Sequence, residues 1–366
     1  MENPSSKTKT TNWRKRILII VFVLFNAAVI LWTALSEFGS KENAARLSSV
    51  NLNGWLLIPA LLCFVLGISA EIFKYFLMMK RCCHLKDWRT AARVVLLGRY
   101  YDNITPAAVG GQPFQIYYMN KRGLKKGYDA TIPIIGMIST QIGFLIVAIF
   151  SFVVLGHYLS IGLLGSGYLG LMFYAIFPIA IIGATFFPGI VSKIVAWSVK
   201  LLAKIHIIKN RKATIEKTEE KLNDYANCVR TILKDKKLSL AIVGCSVLFQ
   251  ICISAIPFFV LRAFGGELNF FSCFVTILAI TSTIYFVPTP GNAGAAEGSF
   301  FFVFSNLTSG YVFWAMLFWR FFSYYSYILM GVIIYSFMAY EKRTGRYFTS
   351  DAKRWLKKQA KKLRKR

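Results

Sequence analysis

Long apolar runs separated by short basic stretches set the pattern of this chain. Ile17 to Leu35, Trp55 to Met79, Thr131 to Leu155, Tyr168 to Phe187, Leu238 to Leu261 and Tyr311 to Tyr340 each read as a membrane span, since a helix needs roughly 20 apolar residues to cross a core of about 30 Å. Two further apolar stretches are interrupted. Val94 to Met119 is split by Thr105-Pro106-Ala107-Ala108-Val109-Gly110-Gly111-Gln112-Pro113. Phe270 to Asn306 is split by Pro288-Thr289-Pro290-Gly291-Asn292-Ala293-Gly294-Ala295-Ala296-Glu297. Proline removes a backbone donor and glycine loosens the helix, so both stretches break. At membrane depth such backbone survives only where it is buried in protein or lines a wet cavity. The expected fold is therefore an all-α polytopic membrane protein with about six full spans and two re-entrant helical hairpins. If both broken stretches span fully, the segments number eight.

Charge sets the expected orientation. The net charge is +28 and charged residues make up 16% of the chain. The basic residues concentrate beside the spans, so positive-inside bias and attraction to anionic lipid explain them better than nucleic-acid binding. Residues 1–16 form a basic cytoplasmic N-terminus, 17–340 one membrane domain, and 341–366 a basic cytoplasmic tail. Basic flanks on both sides of Val94–Met119 place that hairpin's entry on the cytoplasmic face; charge balance lets Phe270–Asn306 enter from the opposite face. Gly156 to Gly167 reads as a short external loop. Within 188–237, Ile190, Ile194, Trp197, Leu201 and Ile205 recur at helical spacing between lysines, which reads as a helix lying in the cytoplasmic interface. The tail residues Lys353 to Arg366 interleave Trp355, Leu356 and Leu363 with basic residues and suit an anionic lipid surface.

The chemistry to explain is charge at membrane depth, where each ionisable group costs on the order of 3 kcal/mol and usually pairs or lines a pathway. Glu71 and Lys74 lie three residues apart on one helical face, which suits a mutual pair. Arg99, Asp102, Glu297 and Arg320 complete the set. Arg99 and Arg320 offer guanidinium forks suited to a phosphate. Backbone N–H groups freed at Gly110-Gly111 and from Gly291 to Gly294 lie near half-helix starts, where anions bind. Glu71, Asp102 and Glu297 suit a cationic headgroup, and Gln112 and Gln115 suit sugar or ester oxygens. The seven cysteines show no metal-ligand spacing, and no nucleotide-binding or hydrolase motif appears; no cofactor is expected.

At these motifs the chain resembles the lysylphosphatidylglycerol synthase transmembrane-region family, the flippase-like membrane domain of the multiple peptide resistance factor. Asn103-Ile104-Thr105-Pro106, Gly110-Gly111-Gln112-Pro113, Gln115-Ile116-Tyr117, Pro288-Thr289-Pro290-Gly291, Gly294, Glu297 and Arg320 carry the resemblance. The chain departs from it at Gln112, where many members carry an acidic residue, and at Gln115, where they carry a basic one. The resemblance implies a bacterial plasma-membrane protein that moves aminoacylated phosphatidylglycerol, such as lysylphosphatidylglycerol, between leaflets. It also implies a role in antibiotic resistance and a separate synthase that supplies the lipid. Full-length resistance factors add a soluble transferase domain; the chain ends shortly after its last span, so synthase activity is not expected of it. Phosphatidylglycerol lysyltransfer and a non-catalytic membrane scaffold are the alternatives. The expected substrate-binding set is Glu71, Arg99, Asp102, Asn103, Thr105, Gly110, Gly111, Gln112, Gln115, Pro290, Gly291, Glu297 and Arg320.

Overall fold

A computed structural model describes residues 52–124, 127–186, 225–285, 287, 289–305 and 312–343. The regular elements among them are helical and include α1 (Leu57–Cys83), α2 (Trp88–Ile104), α3 (Gly111–Lys121), α4 (Tyr128–Leu155), α5 (Ile161–Phe186), α6 (Lys236–Ala263), α7 (Phe270–Ile284), α8 (Ala295–Ser305), α9 (Val312–Arg320) and α10 (Ser326–Arg343). Among the described residues, five helical stretches are long and apolar enough to cross a membrane: Gly54–Cys83, Tyr128–Tyr158, Ile161–Gly183, Lys236–Ala263 and Val312–Glu341. The protein is an all-α polytopic membrane protein. The expected N-terminal segment with its first span, most of the interfacial helix and the basic tail lie outside the described residues.

Helices α1 and α6 pack along each other at the centre, with α4 against α6, α5 against α7 and α10 against α2. Small residues allow these approaches. A Cβ on Gly143 would lie 2.7 Å from the Ser246 backbone, and one on Gly170 would lie 2.5 Å from the Ser282 carbonyl oxygen. Close backbone contact of this kind is how helices associate where lipid supplies no hydrophobic drive. The outward faces carry Leu61, Leu62 and Val65 on α1, Phe150 and Val153 on α4, and Met172 and Phe173 on α5, all exposed. Glu71, Lys74, Glu297 and Arg320 are buried instead. Apolar groups thus face outward and charges inward, as a lipid solvent requires.

The broken stretches differ from full spans in length. The 17 residues of α2, 11 of α3, 15 of α7 and 11 of α8 reach about 26, 17, 23 and 17 Å at a rise of ~1.5 Å per residue, short of the roughly 30 Å core. The members of each pair pack on one another. The helix before the first break begins ahead of Val94, the expected start of the broken stretch. It starts behind Asp87, whose carboxylate accepts from the Arg89 and Thr90 amides at 3.0 and 3.2 Å, and continues to Ile104. Polar residues do not stop it, because Arg99, Asp102 and Asn103 find partners inside the bundle.

Two other expectations need adjustment. The loop expected at Gly156–Gly167 contracts to a 3-10 turn, Gly156–Tyr158, before α5 begins at Ile161. Ile161, Leu163 and Leu164 extend the apolar run, and the Ser160 hydroxyl accepts from the Leu163 amide at 3.3 Å. The last span is not one uniform α-helix. A π-turn, Phe321–Tyr325, divides α9 from α10 directly after Arg320; such turns often mark functional positions.

Candidate functional site

The two breaks meet. The turn Pro106–Ala108 packs on the turn Pro290–Asn292, and α2 touches the second turn as well. The Asn103 amide donates to the Tyr324 carbonyl at 3.4 Å, joining the first hairpin to the π-turn.

The first break is closed by its own polar groups. The Thr105 hydroxyl donates to the Tyr101 carbonyl at 2.7 Å and accepts from the Gly110 amide at 2.9 Å. Asp102 accepts from the Gly111 amide at 2.9 Å. Its carboxylate thereby sits on the N-terminus of α3, where the helix dipole favours negative charge. A Cβ on Gly111 would collide with that carboxylate, so the contact requires glycine. Gln115 faces inward from α3: its amide donates to the Val94 carbonyl at 3.1 Å, and its oxygen accepts from the Tyr75 hydroxyl at 3.2 Å. Gln112 is half-buried at the start of α3.

The second break is held by an ion pair. Arg320 Nε donates to Glu297 Oε1 at 2.7 Å, and both of its terminal nitrogens reach the Gly291 carbonyl at 3.3 Å. The other carboxylate oxygen of Glu297 accepts from the Gly294 amide at 2.6 Å. Glu297 is the third residue of α8, so this is the return half of a capping box. Gly291 has φ +59°, a left-handed conformation, and packs on the Tyr324 ring. Pro290 opens the turn. The Arg320 guanidinium also lies 5.2 Å from the Tyr324 ring centroid and 5.5 Å from that of Trp319.

A separate cluster lies between α1, α2, α4 and α6. Lys74 is wholly buried. Its Nζ meets Glu71 Oε2 at 2.9 Å, the Gly136 carbonyl at 3.0 Å, the Thr140 hydroxyl at 2.7 Å and the Ser246 hydroxyl at 3.2 Å. The other oxygen of Glu71 accepts from the Thr140 hydroxyl at 3.0 Å and faces Arg99 Nη2 at 3.6 Å. Arg99 stacks on Phe249 at 4.9 Å. Its side chain remains 30% exposed, against 5% for Arg320. Asp102, Tyr75, Tyr327, Tyr174 and Tyr285 all lie within its electrostatic reach.

The expected residues therefore fall into two groups. Glu71, Arg99 and Asp102, with Gln115 through Tyr75, surround the first hairpin. Pro290, Gly291, Glu297 and Arg320 hold the second, with Asn103 reaching it through Tyr324. The two arginines take different carboxylates. Sequence reasoning did not single out Thr140, Ser246, Tyr174 or Tyr285, because hydroxyls and tyrosines are common in spans and nothing in their spacing marks them.

Residues 16–331 match the family described as the lysylphosphatidylglycerol synthase TM region. The chain belongs to this family. It is similar to a UPF0104 membrane protein of Archaeoglobus fulgidus, 24% identical over 314 residues, 81% of this chain and 90% of that one. A shorter match, 25% identical over 134 residues, covers 34% of the chain and 32% of an uncharacterized protein of Mycoplasma pneumoniae. No solved structure matches. The matched residues of this chain include both breaks and both arginines, and the family together with the apolar helices makes it a multi-pass membrane protein.

Proposed function

We propose that this protein is a lipid translocase, moving an aminoacylated or other phosphate-bearing lipid between leaflets. The observation that carries the reading is Arg99. It is a cation inside the bundle, loosely held at 3.6 Å by Glu71 and partly exposed, on a helix that touches both broken turns. A guanidinium left with donors to spare suits a phosphate. Short paired half-helices with irregular turns at their junction are a recurring way to build a substrate site within a membrane. In this reading Gln112, Gln115 and Asp102 line the headgroup's path, and the Glu297–Arg320 pair keeps the second turn in shape beside it. The protein sits in the bacterial plasma membrane with both termini in the cytoplasm, its basic tail on anionic lipid, and takes aminoacyl lipid made by a separate synthase.

The test uses cells that make lysylphosphatidylglycerol from a soluble synthase domain and lack a flippase. A membrane-impermeant amine reagent reports outer-leaflet lipid. Expression of this chain raises labelling, and Arg99→Gln removes the rise. Unchanged labelling at full expression would overturn the substrate. New aminoacyl lipid in a host without any synthase would instead mark a lysyltransferase.

A further inference from the structure

We infer that Lys74 is a positioning residue for anion recognition: by holding Glu71, it keeps Arg99 available to a phosphate. This rests on the reading of Arg99 given above. Three charges are in direct contact, cationic Lys74 and Arg99 and anionic Glu71, while Asp102, three residues further along α2, adds a carboxylate within electrostatic reach of Arg99. Their contacts are unequal. Lys74 donates to the Gly136 carbonyl and the Thr140 and Ser246 hydroxyls at 2.7 to 3.2 Å and forms an ion pair with Glu71 Oε2 at 2.9 Å. Arg99 reaches the same carboxylate only at 3.6 Å. Thr140 adds a second restraint, since its hydroxyl lies 2.7 Å from Lys74 Nζ and 3.0 Å from Glu71 Oε1. The lysine and the threonine thus fix the carboxylate on the α1–α4 side. Arg99 keeps most of its hydrogen-bonding capacity and a partly exposed guanidinium for an incoming anion.

Removing the lysine's charge reverses this. Glu71 then pairs with Arg99 alone, the site loses one positive charge, and an anion must displace a carboxylate. Removing the charge of Glu71 does the opposite. The site then carries one more positive charge than the parent and holds an anion more tightly. Removing both returns the site to the parent's net charge.

Charge alone therefore predicts opposite signs for two single variants and recovery in the double. Loss of packing predicts neither, because a merely structural pair weakens binding in both singles.

The experiment measures binding of dihexanoyl-phosphatidylglycerol and, separately, of inorganic phosphate to the purified full chain in detergent by calorimetry. Lys74→Met is expected to weaken binding about tenfold, Glu71→Gln to strengthen it several-fold, and Glu71→Gln/Lys74→Met to return it to within about threefold of the parent. Glu71→Gln keeps the carboxylate's shape and tests the inference even where Lys74→Met is too unstable to purify. Binding that Glu71→Gln leaves unchanged or weakens overturns the inference, as does a double variant no better than Lys74→Met. Binding that Arg99→Gln leaves intact overturns the reading of Arg99 itself, and this inference with it. Equal sensitivity of both ligands to these variants assigns the site to phosphate as such. Sensitivity of the lipid alone assigns it to the headgroup with its glycerol.

Discussion

The two broken segments are built alike and closed differently. In each, a carboxylate sits on the N-terminus of the half-helix after the break: Asp102 on the Gly111 amide, and Glu297 on the Gly294 amide. An arginine accompanies each. At the second break Arg320 is fully engaged, with Glu297 at 2.7 Å and the Gly291 carbonyl across its terminal nitrogens. At the first, Arg99 turns away from the break toward Glu71 at 3.6 Å and stays partly exposed. The same residue type in neighbouring settings thus has two states, one spent on holding backbone and one with donors in reserve. A guanidinium saturated by the protein stabilises structure; one held loosely by a shared carboxylate suits a ligand.

Breaking the closed side should give the largest effect on stability. Arg320→Ala leaves Glu297 buried without its counter-ion, and losing one member of a buried pair costs about 3–5 kcal/mol. Thermal unfolding in detergent is expected to show a clear loss of stability, accompanied by loss of transfer. A variant as stable as the parent would make Arg320 as free as Arg99 and end the contrast. Gly291→Ala comes next. Its left-handed φ costs an alanine on the order of 1–2 kcal/mol, and the added Cβ would enter the Tyr324 ring. The same unfolding measurement should show a smaller loss than for Arg320→Ala, and an equal or greater loss would place the turn rather than the ion pair at the centre of the latch. Asn103→Ala removes a single long bond between the hairpins at 3.4 Å, worth about 0.5–1.5 kcal/mol. Its effect on unfolding should be the smallest of the three.

Much of this arrangement is legible in the sequence. Apolar runs mark the spans because lipid demands them, and Pro106, Gly110, Pro290 and Gly291 mark the breaks because they cannot continue a helix. The spacing of Glu71 and Lys74 indicates their pairing. What the sequence leaves unread depends on contacts between distant segments. Nothing in it says that Arg320 takes Glu297 while Arg99 takes Glu71, since the charges of all three acids suit either arginine. Arg99 and Asp102 are charges within a broken apolar stretch, and α2 continues through them because the bundle supplies their partners. Thr140 and Ser246 are two hydroxyls among many, and only their approach to Lys74 distinguishes them. The π-turn after Arg320 has no proline or glycine to announce it.

The contrast between the two arginines is tested most directly with purified protein in liposomes. Transfer of lysylphosphatidylglycerol between leaflets is followed by amine labelling, with the unfolding temperature measured in parallel for the parent and Arg99→Gln. The parent is expected to accelerate transfer without ATP, and Arg99→Gln to abolish that acceleration while unfolding within a few degrees of the parent. Full transfer by Arg99→Gln, or loss of transfer only alongside a collapse in stability, would contradict the assignment of Arg99 to the lipid and of Arg320 to the fold.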